Sequence, residues 1–442
     1  MALNIVLLSG GSGKRLWPLS NDIRSKQFIK IFRRPDGSYE SMVQQMYREI
    51  REVDPDARVS IATSKSQVSV IHNQLGQDVG ISVEPCRRDT FPAIALATMY
   101  LHDVQGVGED EPVVVCPCDP YVEREYFAAL RRLSELAASG RASLCVMGIV
   151  PTYPSEKYGY VVPASDGRIS RVAAFKEKPD LESAKQYIAR GALWNAGVFA
   201  FRCGYMMQKA HSLLEFTDYQ DLFAKYETLT KISFDYAVAE KEQDIAVMRF
   251  DGQWKDLGTW NTLTEAMSEN TIGNVVLGDH CDNVHVINEL TAPILVMGLR
   301  NAVVSASPQG ILVSDKGESS YIKKYVEHID DRVMFAEKSW GTYRVVNVES
   351  DSVMIMNTLN PGAHMSYHSH ESRTEILTVI SGTGRIVMDG KSRDVSAGDV
   401  VTVRPGSRHT VIADPDSALK LFELQLGTRI EASDKTKYEY TF

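Results

Sequence analysis

At 442 residues the chain exceeds one ordinary domain, and two or three are expected. Its 44% hydrophobic and 24% charged content are those of a folded, water-soluble protein, and a net charge of −9 argues against nucleic acid as a partner while leaving room for small phosphorylated ligands, which need only local cations. No apolar run approaches the length of a membrane span and no charged-then-apolar leader precedes the first strand, so no membrane partner and a cytoplasmic location are expected.

The apolar run Ile5-Val6-Leu7-Leu8 predicts a buried parallel strand. It stops at Ser9-Gly10-Gly11-Ser12-Gly13-Lys14-Arg15, followed by Pro18 and then by Ser25-Lys26-Gln27-Phe28. A strand ending in a glycine-rich turn with two fixed cations is a phosphate cradle. Glycines let backbone N–H groups close around an anion, and Arg15 and Lys26 supply countercharge. The pattern is not the P-loop, because Leu8 stands where that motif's first glycine belongs and Arg15 follows Lys14 in place of Ser or Thr. Nor is it a dinucleotide fingerprint, since Pro18 follows too closely for a long helix to start at the turn.

Further along, Ser41 to Val53 places Met42, Val43, Met46, Tyr47 and Ile50 on one helical face. Val59 to Ala62 reads as a short strand. Thr90 is a candidate N-cap with Pro92 in the first turn, Val113 to Val115 is a buried strand, and a helical pattern runs from Glu123 to Ala138 before Gly140. This alternation predicts a doubly wound, Rossmann-like α/β sheet with ligands at the carboxyl ends of its strands. Residues 273–315 change to short, evenly spaced β runs, which predict a β-solenoid or β-ribbon linker, and 318–329 read as a helix. From Trp340 onward the pattern is all-β. The expected division is therefore 1–268, 269–330 and 331–442. The six cysteines (86, 116, 118, 145, 203 and 281) read as buried thiols in a reducing compartment, with a metal or redox pair at Cys116-Pro117-Cys118 as the lesser alternative.

Two aspartates follow apolar stretches. Asp119 ends the run from Val113 to Cys118, and Asp256 lies in Trp254-Lys255-Asp256-Leu257-Gly258-Thr259-Trp260. Singly, each reads as a turn aspartate, Lys178 as a solvated lysine and Trp194 as core. Their order is what informs. Together with the glycine loop, the segments Glu84-Pro85-Cys86-Arg87-Arg88-Asp89-Thr90-Phe91-Pro92, Tyr158-Gly159-Tyr160, Phe175-Lys176-Glu177-Lys178-Pro179, Trp194-Asn195-Ala196-Gly197 and Ser233-Phe234-Asp235-Tyr236-Ala237 form one series over residues 1–262. That series resembles the sugar-1-phosphate nucleotidyltransferases, most of all the bacterial mannose-1-phosphate guanylyltransferases. The resemblance implies a transfer of GMP from GTP to mannose 1-phosphate with release of pyrophosphate, feeding GDP-mannose and polysaccharide synthesis. It implies nucleotide contacts at Ser9, Gly10, Gly11, Gly13, Glu84, Arg88, Asp89 and Pro92, with Arg15 and Lys26 on the triphosphate. It implies sugar-phosphate contacts at Gly159, Glu177, Lys178 and Asn195, and Mg²⁺ on Asp119 and Asp256. Three residues depart from the family: Pro120 where histidine is usual, Asp89 where asparagine is usual and Phe91 where alanine is usual. Another nucleotide or sugar 1-phosphate, or a non-catalytic nucleotide-sugar sensor, are the alternatives.

In the C-terminal part, Gly362, His368, His370, Glu375 and Gly382 take the spacing of the first cupin motif, and Gly398, Gly406 and His409 much of the second. Two histidines one residue apart on a strand share a face, and Glu375 is expected on the neighbouring turn of chain. Three imidazoles and a carboxylate suit a transition metal such as Zn²⁺. The series is similar to a cupin jelly roll of the kind found in type II mannose-6-phosphate isomerases, with Trp340-Gly341 and Arg373 in register. That resemblance implies metal-assisted aldose–ketose isomerisation. Here His368 replaces the usual glutamine, Ile376 a histidine and Ala413 an asparagine. The metal-binding cupin without isomerase activity is the rival. Association into a homo-oligomer is compatible with either.

Overall fold

The computed structural model describes residues 2–11, 14–21, 23–329, 332–431 and 433–441. Its chain forms two compact units. The first is made of Met1–Ser12, Ser25–Val68 and Gln77–Ser268, and the second of Gly13–Arg24, Ser69–Gly76 and Glu269–Phe442.

The first unit is built on a nine-stranded sheet: β1 (Asn4–Ser9), β2 (Arg58–Ser64), β3 (Gly80–Glu84), β4 (Pro112–Pro117), β5 (Leu144–Ile149), β6 (Tyr160–Pro163), β7 (Ile169–Lys176), β8 (Leu193–Arg202) and β9 (Ile245–Phe250). The spatial order is β3-β2-β1-β4-β8-β5-β9-β7-β6. Ile5, Val6 and Leu7 are fully buried because β1 lies between parallel neighbours β2 and β4 and is covered on both faces. Helices α1 (Met42–Val53), α2 (Val68–Leu75), α3 (Thr90–Asp103) and α4 (Arg124–Ala138) alternate with the first strands. α1 starts in a capping box between Ser41 and Gln44. The N-cap of α3 is Asp89 rather than Thr90. The Asp89 carboxylate accepts from the Thr90 amide at 2.8 Å, while the Thr90 hydroxyl accepts from the Phe234 amide at 2.8 Å. A carboxylate outcompetes a hydroxyl at the positive helix end. Phe91 joins the core with Ile94, Leu96, Phe199 and Phe234, where its burial contributes about 2 kcal/mol.

Because β1 and β4 run parallel, Ser9 and Pro117 finish at the same sheet edge. Just beyond it, Pro120–Val122 pairs antiparallel with Trp254–Asp256, setting Asp256 opposite Pro120. This two-strand ribbon brings Asp256 beside Asp119.

The second unit begins with short strands β10 (Thr271–Ile272), β11 (Val275–Leu277), β12 (His285–Asn288), β13 (Ile294–Val296), β14 (Ala302–Ser307) and β15 (Gly310–Asp315). β10, β12 and β14 stack in parallel, β11 pairs in parallel with β13, and β15 turns back antiparallel on β14. The stretch Gly13–Arg24 belongs to this unit. Arg24 is buried and meets both Glu289 oxygens at 2.9 and 2.8 Å, and the Ser307 hydroxyl donates to the Pro18 carbonyl at 2.6 Å. A Cβ on Gly310 would lie 2.4 Å from the Trp17 ring. The helix expected over 318–329 is instead a tight turn, Glu318–Tyr321, followed by a short helix, Lys323–Val326.

The remaining strands form a jelly roll: β16 (Phe335–Lys338), β17 (Gly341–Val348), β18 (Ser352–Leu359), β19 (His368–Ser369), β20 (Thr374–Ser381), β21 (Thr383–Met388), β22 (Lys391–Ser396), β23 (Val400–Val403), β24 (His409–Ala413), β25 (Leu419–Leu426) and β26 (Thr436–Lys437). One sheet is β16-β17-β18-β25-β20-β23 and the other β22-β21-β24-β19-β26. β18 and β20 alternate buried and half-buried residues, so Leu359, Leu377 and Val379 meet Ile386, Val395 and Val411 in one core. No helix among the described residues is long and apolar enough to cross a membrane.

Candidate functional site

At the carboxyl edge of the first unit's sheet, the Lys26 ammonium lies 3.0 Å from Asp119 Oδ2 and 2.9 Å from Asp256 Oδ1. Burial alone would lower the Lys26 pKa, but the two carboxylates outweigh it and hold the group charged. Two aspartates converging on one cation present oxygen donors of the kind a hard divalent ion takes, and they already hold a positive charge between them, so the pair fits magnesium.

A second cluster surrounds Glu177. Its Oε1 meets Lys178 Nζ at 2.5 Å, its backbone amide donates to Glu240 at 2.8 Å, and its buried Oε2 has no hydrogen-bond partner among the described residues. Lys178 is held at φ 44°, which directs the chain sharply into Pro179. Gly159 donates space as well as a carbonyl: a Cβ there would stand 2.4 Å from Glu177 Oε2, and its carbonyl accepts from the Asn195 amide at 2.8 Å. The Asn195 side chain donates to Asp235 Oδ1 at 2.6 Å and accepts from the Gly197 amide at 3.0 Å. Asp235 opens a π-helical turn, Asp235–Ala239. Burial, and then the charge of Glu177, pushes its carboxyl up to about 6, against Asn195 and Lys178. Between the two clusters stand aromatic rings: Tyr158 lies 4.8 Å from Trp194 and 5.7 Å from Trp254, centroid to centroid.

The remaining candidates fall as follows. Gly10 and Gly11 are exposed with open space around them, and Gly11 has φ 122°. Gly13 lies outside the described residues. Ser9 is buried, and its hydroxyl joins Gln27 at 2.9 Å and Gln67 at 3.1 Å, bracing the strand end from within. Arg15 is on the tight turn Lys14–Leu16 of the second unit, exposed and, among the described residues, without an ion-pair partner. Glu84 accepts from the Tyr226 hydroxyl at 2.7 Å, and burial pushes its carboxyl up. Arg88 donates to the Glu227 carbonyl. It is Arg87, one residue earlier, that reaches the glycine loop, donating to the Gly11 carbonyl at 2.9 Å. Pro92 is buried in the first turn of α3. Sequence reasoning gave no role to Arg87 or Asp235. A second arginine in tandem and an acidic residue beside the 233–237 motif were the available signals.

In the jelly roll, His368, His370, Glu375 and His409 are buried, with their potential donor atoms all within 4.8 Å of one another. The carboxylate does not come from a neighbouring turn, as expected from sequence, but from β20 in the facing sheet, across from β19 and β24. Each imidazole Nδ1 faces a backbone carbonyl: Ser366 at 2.6 Å, Asp434 at 2.6 Å and Ser407 at 3.2 Å, respectively. A carbonyl only accepts, so Nδ1 carries the proton and the Nε2 lone pairs turn inward, where His370 and His409 lie 3.1 and 3.0 Å from Glu375. Burial pulls the His370 pKa down to about 4 and the His368 pKa to about 2, the latter helped by Lys435, so both rings are neutral at pH 7. Neutral, pre-aimed imidazoles beside a carboxylate fit a metal ion. Arg373 donates to Glu375 at 2.9 Å, and Gln425 bridges Glu375 and Glu423 at 3.1 and 2.6 Å. The cluster opens on a cavity of about 910 Å³.

Comparison with known proteins agrees with both halves. The nucleotidyl transferase family model matches residues 4–272, and the cupin domain model residues 355–424. A putative mannose-1-phosphate guanylyltransferase of Vibrio cholerae is 29% identical over 98% of this chain and 99% of its own length. The alginate biosynthesis protein AlgA of Pseudomonas putida is 29% identical over 98% and 95%. Among solved structures, a Thermus thermophilus protein described as a mannose-1-phosphate geranyltransferase covers 74% of this chain and 98% of itself, at 28% identity and a TM-score of 0.60.

Proposed function

The chain belongs to the nucleotidyl transferase family, and from that premise we propose that it joins mannose 1-phosphate to the GMP part of GTP, releasing pyrophosphate. The observation that carries this reading is the convergence of Asp119 and Asp256 on Lys26, with an aromatic bridge leading to Glu177, Lys178 and Asn195. Curated relatives of matching length that bear the guanylyltransferase name support it.

In the proposed reaction a phosphate oxygen of the sugar 1-phosphate attacks the α-phosphorus. The new P–O bond forms as the bond to the β-phosphate oxygen breaks, and the electron pair leaves with pyrophosphate. Lys178 holds the attacking phosphate, and the unpartnered Glu177 Oε2, with Asn195, takes sugar hydroxyls. Lys26 and Arg15 receive the charge that grows on pyrophosphate, and positioning and neutralisation carry most of the acceleration. The glycine loop, Glu84, Arg88, Asp89 and Pro92 frame the nucleotide. Magnesium, held by Asp119 and Asp256, supplies further neutralisation of phosphate oxygens when bound.

For the jelly roll, the buried His/Glu cluster and its cavity favour a second activity, isomerisation of mannose 6-phosphate to fructose 6-phosphate: His368, His370, Glu375 and His409 would hold a transition metal such as Zn²⁺, which would supply Lewis-acid polarisation of the sugar carbonyl when bound. The three-part division at 268 and 330 belongs to the same proposal. Four nucleoside triphosphates against several sugar 1-phosphates, read by pyrophosphate release, test the transfer. A preference for CTP or UTP overturns the guanylyl assignment, and nucleotide-sugar binding without turnover makes the protein a sensor. A coupled fructose 6-phosphate assay tests the isomerase.

A further inference from the structure

Lys435 and Lys437 are two residues apart at and before β26, so on extended backbone they project to the same side. Both line the jelly-roll cavity, as does Lys338 at the end of β16. Lys437 pairs with His368 across β19 and β26, which places this lysine strand alongside the imidazole cluster. The segment is anchored on either side of the lysines. The Asp434 carbonyl accepts from His370 at 2.6 Å, and its carboxylate accepts from the Glu371 and Ser372 amides at 3.0 and 3.1 Å. Beyond them the Tyr438 amide donates to the Tyr367 carbonyl at 2.9 Å, and Arg408 lies 4.1 Å over the Tyr438 ring.

Among the described residues, none of these three ammonium groups makes a hydrogen bond or ion pair. They also lie close enough to repel: burial, and then the charge of Lys437, pulls the Lys338 pKa down. Glu423 and Glu375, which line the same cavity, act on Lys435, but among the described residues no carboxylate is within ion-pair distance of any of the three ammonium groups, so all three are open to an incoming anion. Arg373, at the cluster, is different, because Glu375 and Asp434 already face it.

We propose that Lys338, Lys435 and Lys437 form the anion-binding end of the jelly-roll cavity and take the dianionic phosphate of a phosphomonoester whose hydroxylated body reaches toward His368, His370, Glu375 and His409. Three cations match a dianion better than a monocarboxylate. A volume of about 910 Å³ leaves room for a small polyol beyond the phosphate itself. This inference rests on the reading of the cavity as a ligand site, and it does not require isomerisation there.

Calorimetric titration of the full-length chain with mannose 6-phosphate, inorganic phosphate and mannose tests it. Mannose 6-phosphate binds tightest. Lys435→Ala and Lys437→Ala each weaken it about tenfold, whereas Lys435→Arg stays within about threefold of the parent. Thermal unfolding of each variant, matched to the parent, establishes that the fold is kept. The site is overturned if the Lys435→Ala/Lys437→Ala double variant binds mannose 6-phosphate as tightly as the parent, if inorganic phosphate binds equally well, or if the parent binds none. Fructose 6-phosphate is measured on the same samples. Lysine-dependent binding with no isomer formed removes the isomerase reading and upholds the site.

Discussion

Replacing Asp235 by asparagine is expected to stabilise the first unit at neutral pH while slowing transfer. Burial and the neighbouring Glu177 raise the Asp235 pKa from 3.8 to about 6, so the folded chain keeps a proton that the unfolded chain has already lost across that window. Folding stability therefore falls as pH rises from about 4 to about 6, and above that the whole cost of the ionised carboxylate is present. At 1.36 kcal/mol per tenfold in proton affinity, the gap from 3.8 to about 6 corresponds to at most about 3 kcal/mol. Asparagine keeps the oxygen that accepts from Asn195 at 2.6 Å and removes the charge. Hydrogen exchange of the β8 and α3 amides reads the first unit specifically. Protection in Asp235→Asn is expected to rise by up to about 3 kcal/mol at pH 7.5 and to match the parent near pH 4, with kcat/KM for the sugar 1-phosphate down about tenfold or more. Lower protection at pH 7.5, or an equal gain at both pH values, would refute the assignment of the raised pKa to burial and Glu177.

Asp119→Ala removes one of the two carboxylates facing Lys26, and pyrophosphate release is expected to drop about 100-fold or more; near-normal turnover would remove Asp119 from the site. Gly159→Ala places a Cβ against Glu177 Oε2, so KM for the sugar 1-phosphate is expected to rise about tenfold while KM for the nucleotide holds. Elemental analysis of the purified chain is expected to find transition metal that is lost in His370→Ala and Glu375→Gln and returns on adding metal to the parent after chelation. Arg24→Ala leaves Glu289 without its bidentate partner and is expected to cost the second unit about 3 kcal/mol in denaturant unfolding.

Much of the fold is legible in the residues. Ile5 to Leu8 and Val113 to Val115 are continuous apolar runs, and such runs become doubly covered parallel strands. The His-x-His alternation likewise puts two imidazoles on one face of β19. What the sequence hides is pairing at a distance. Trp254–Asp256 and Pro120–Val122 are three-residue strands with no periodicity to read, yet their ladder is what brings Asp256 to Asp119. The same holds for Glu375, whose strand reaches the histidines across the two sheets. Phe91 invites a reading beside the base because of its place in the motif, but in the fold it packs in the core of α3, and Asp89 spends its carboxylate on the helix end. Substitutions that look like changes of specificity in a linear motif can thus be changes of packing and capping.

The buried clasp of Arg24 on Glu289, with Pro18 on Ser307 and Trp17 against Gly310, bears on how such a chain can change over evolutionary time. The segment that carries Arg15 takes its supports from residues that follow position 268. A gene shortened to the α/β half would keep every aspartate assigned above and still lose the scaffold under that arginine. The strands over residues 271–315, which supply Glu289, Ser307 and Gly310, are therefore tied to the segment that carries Arg15, whereas the jelly roll supplies none of these three contacts and its pocket is free to drift toward new ligands.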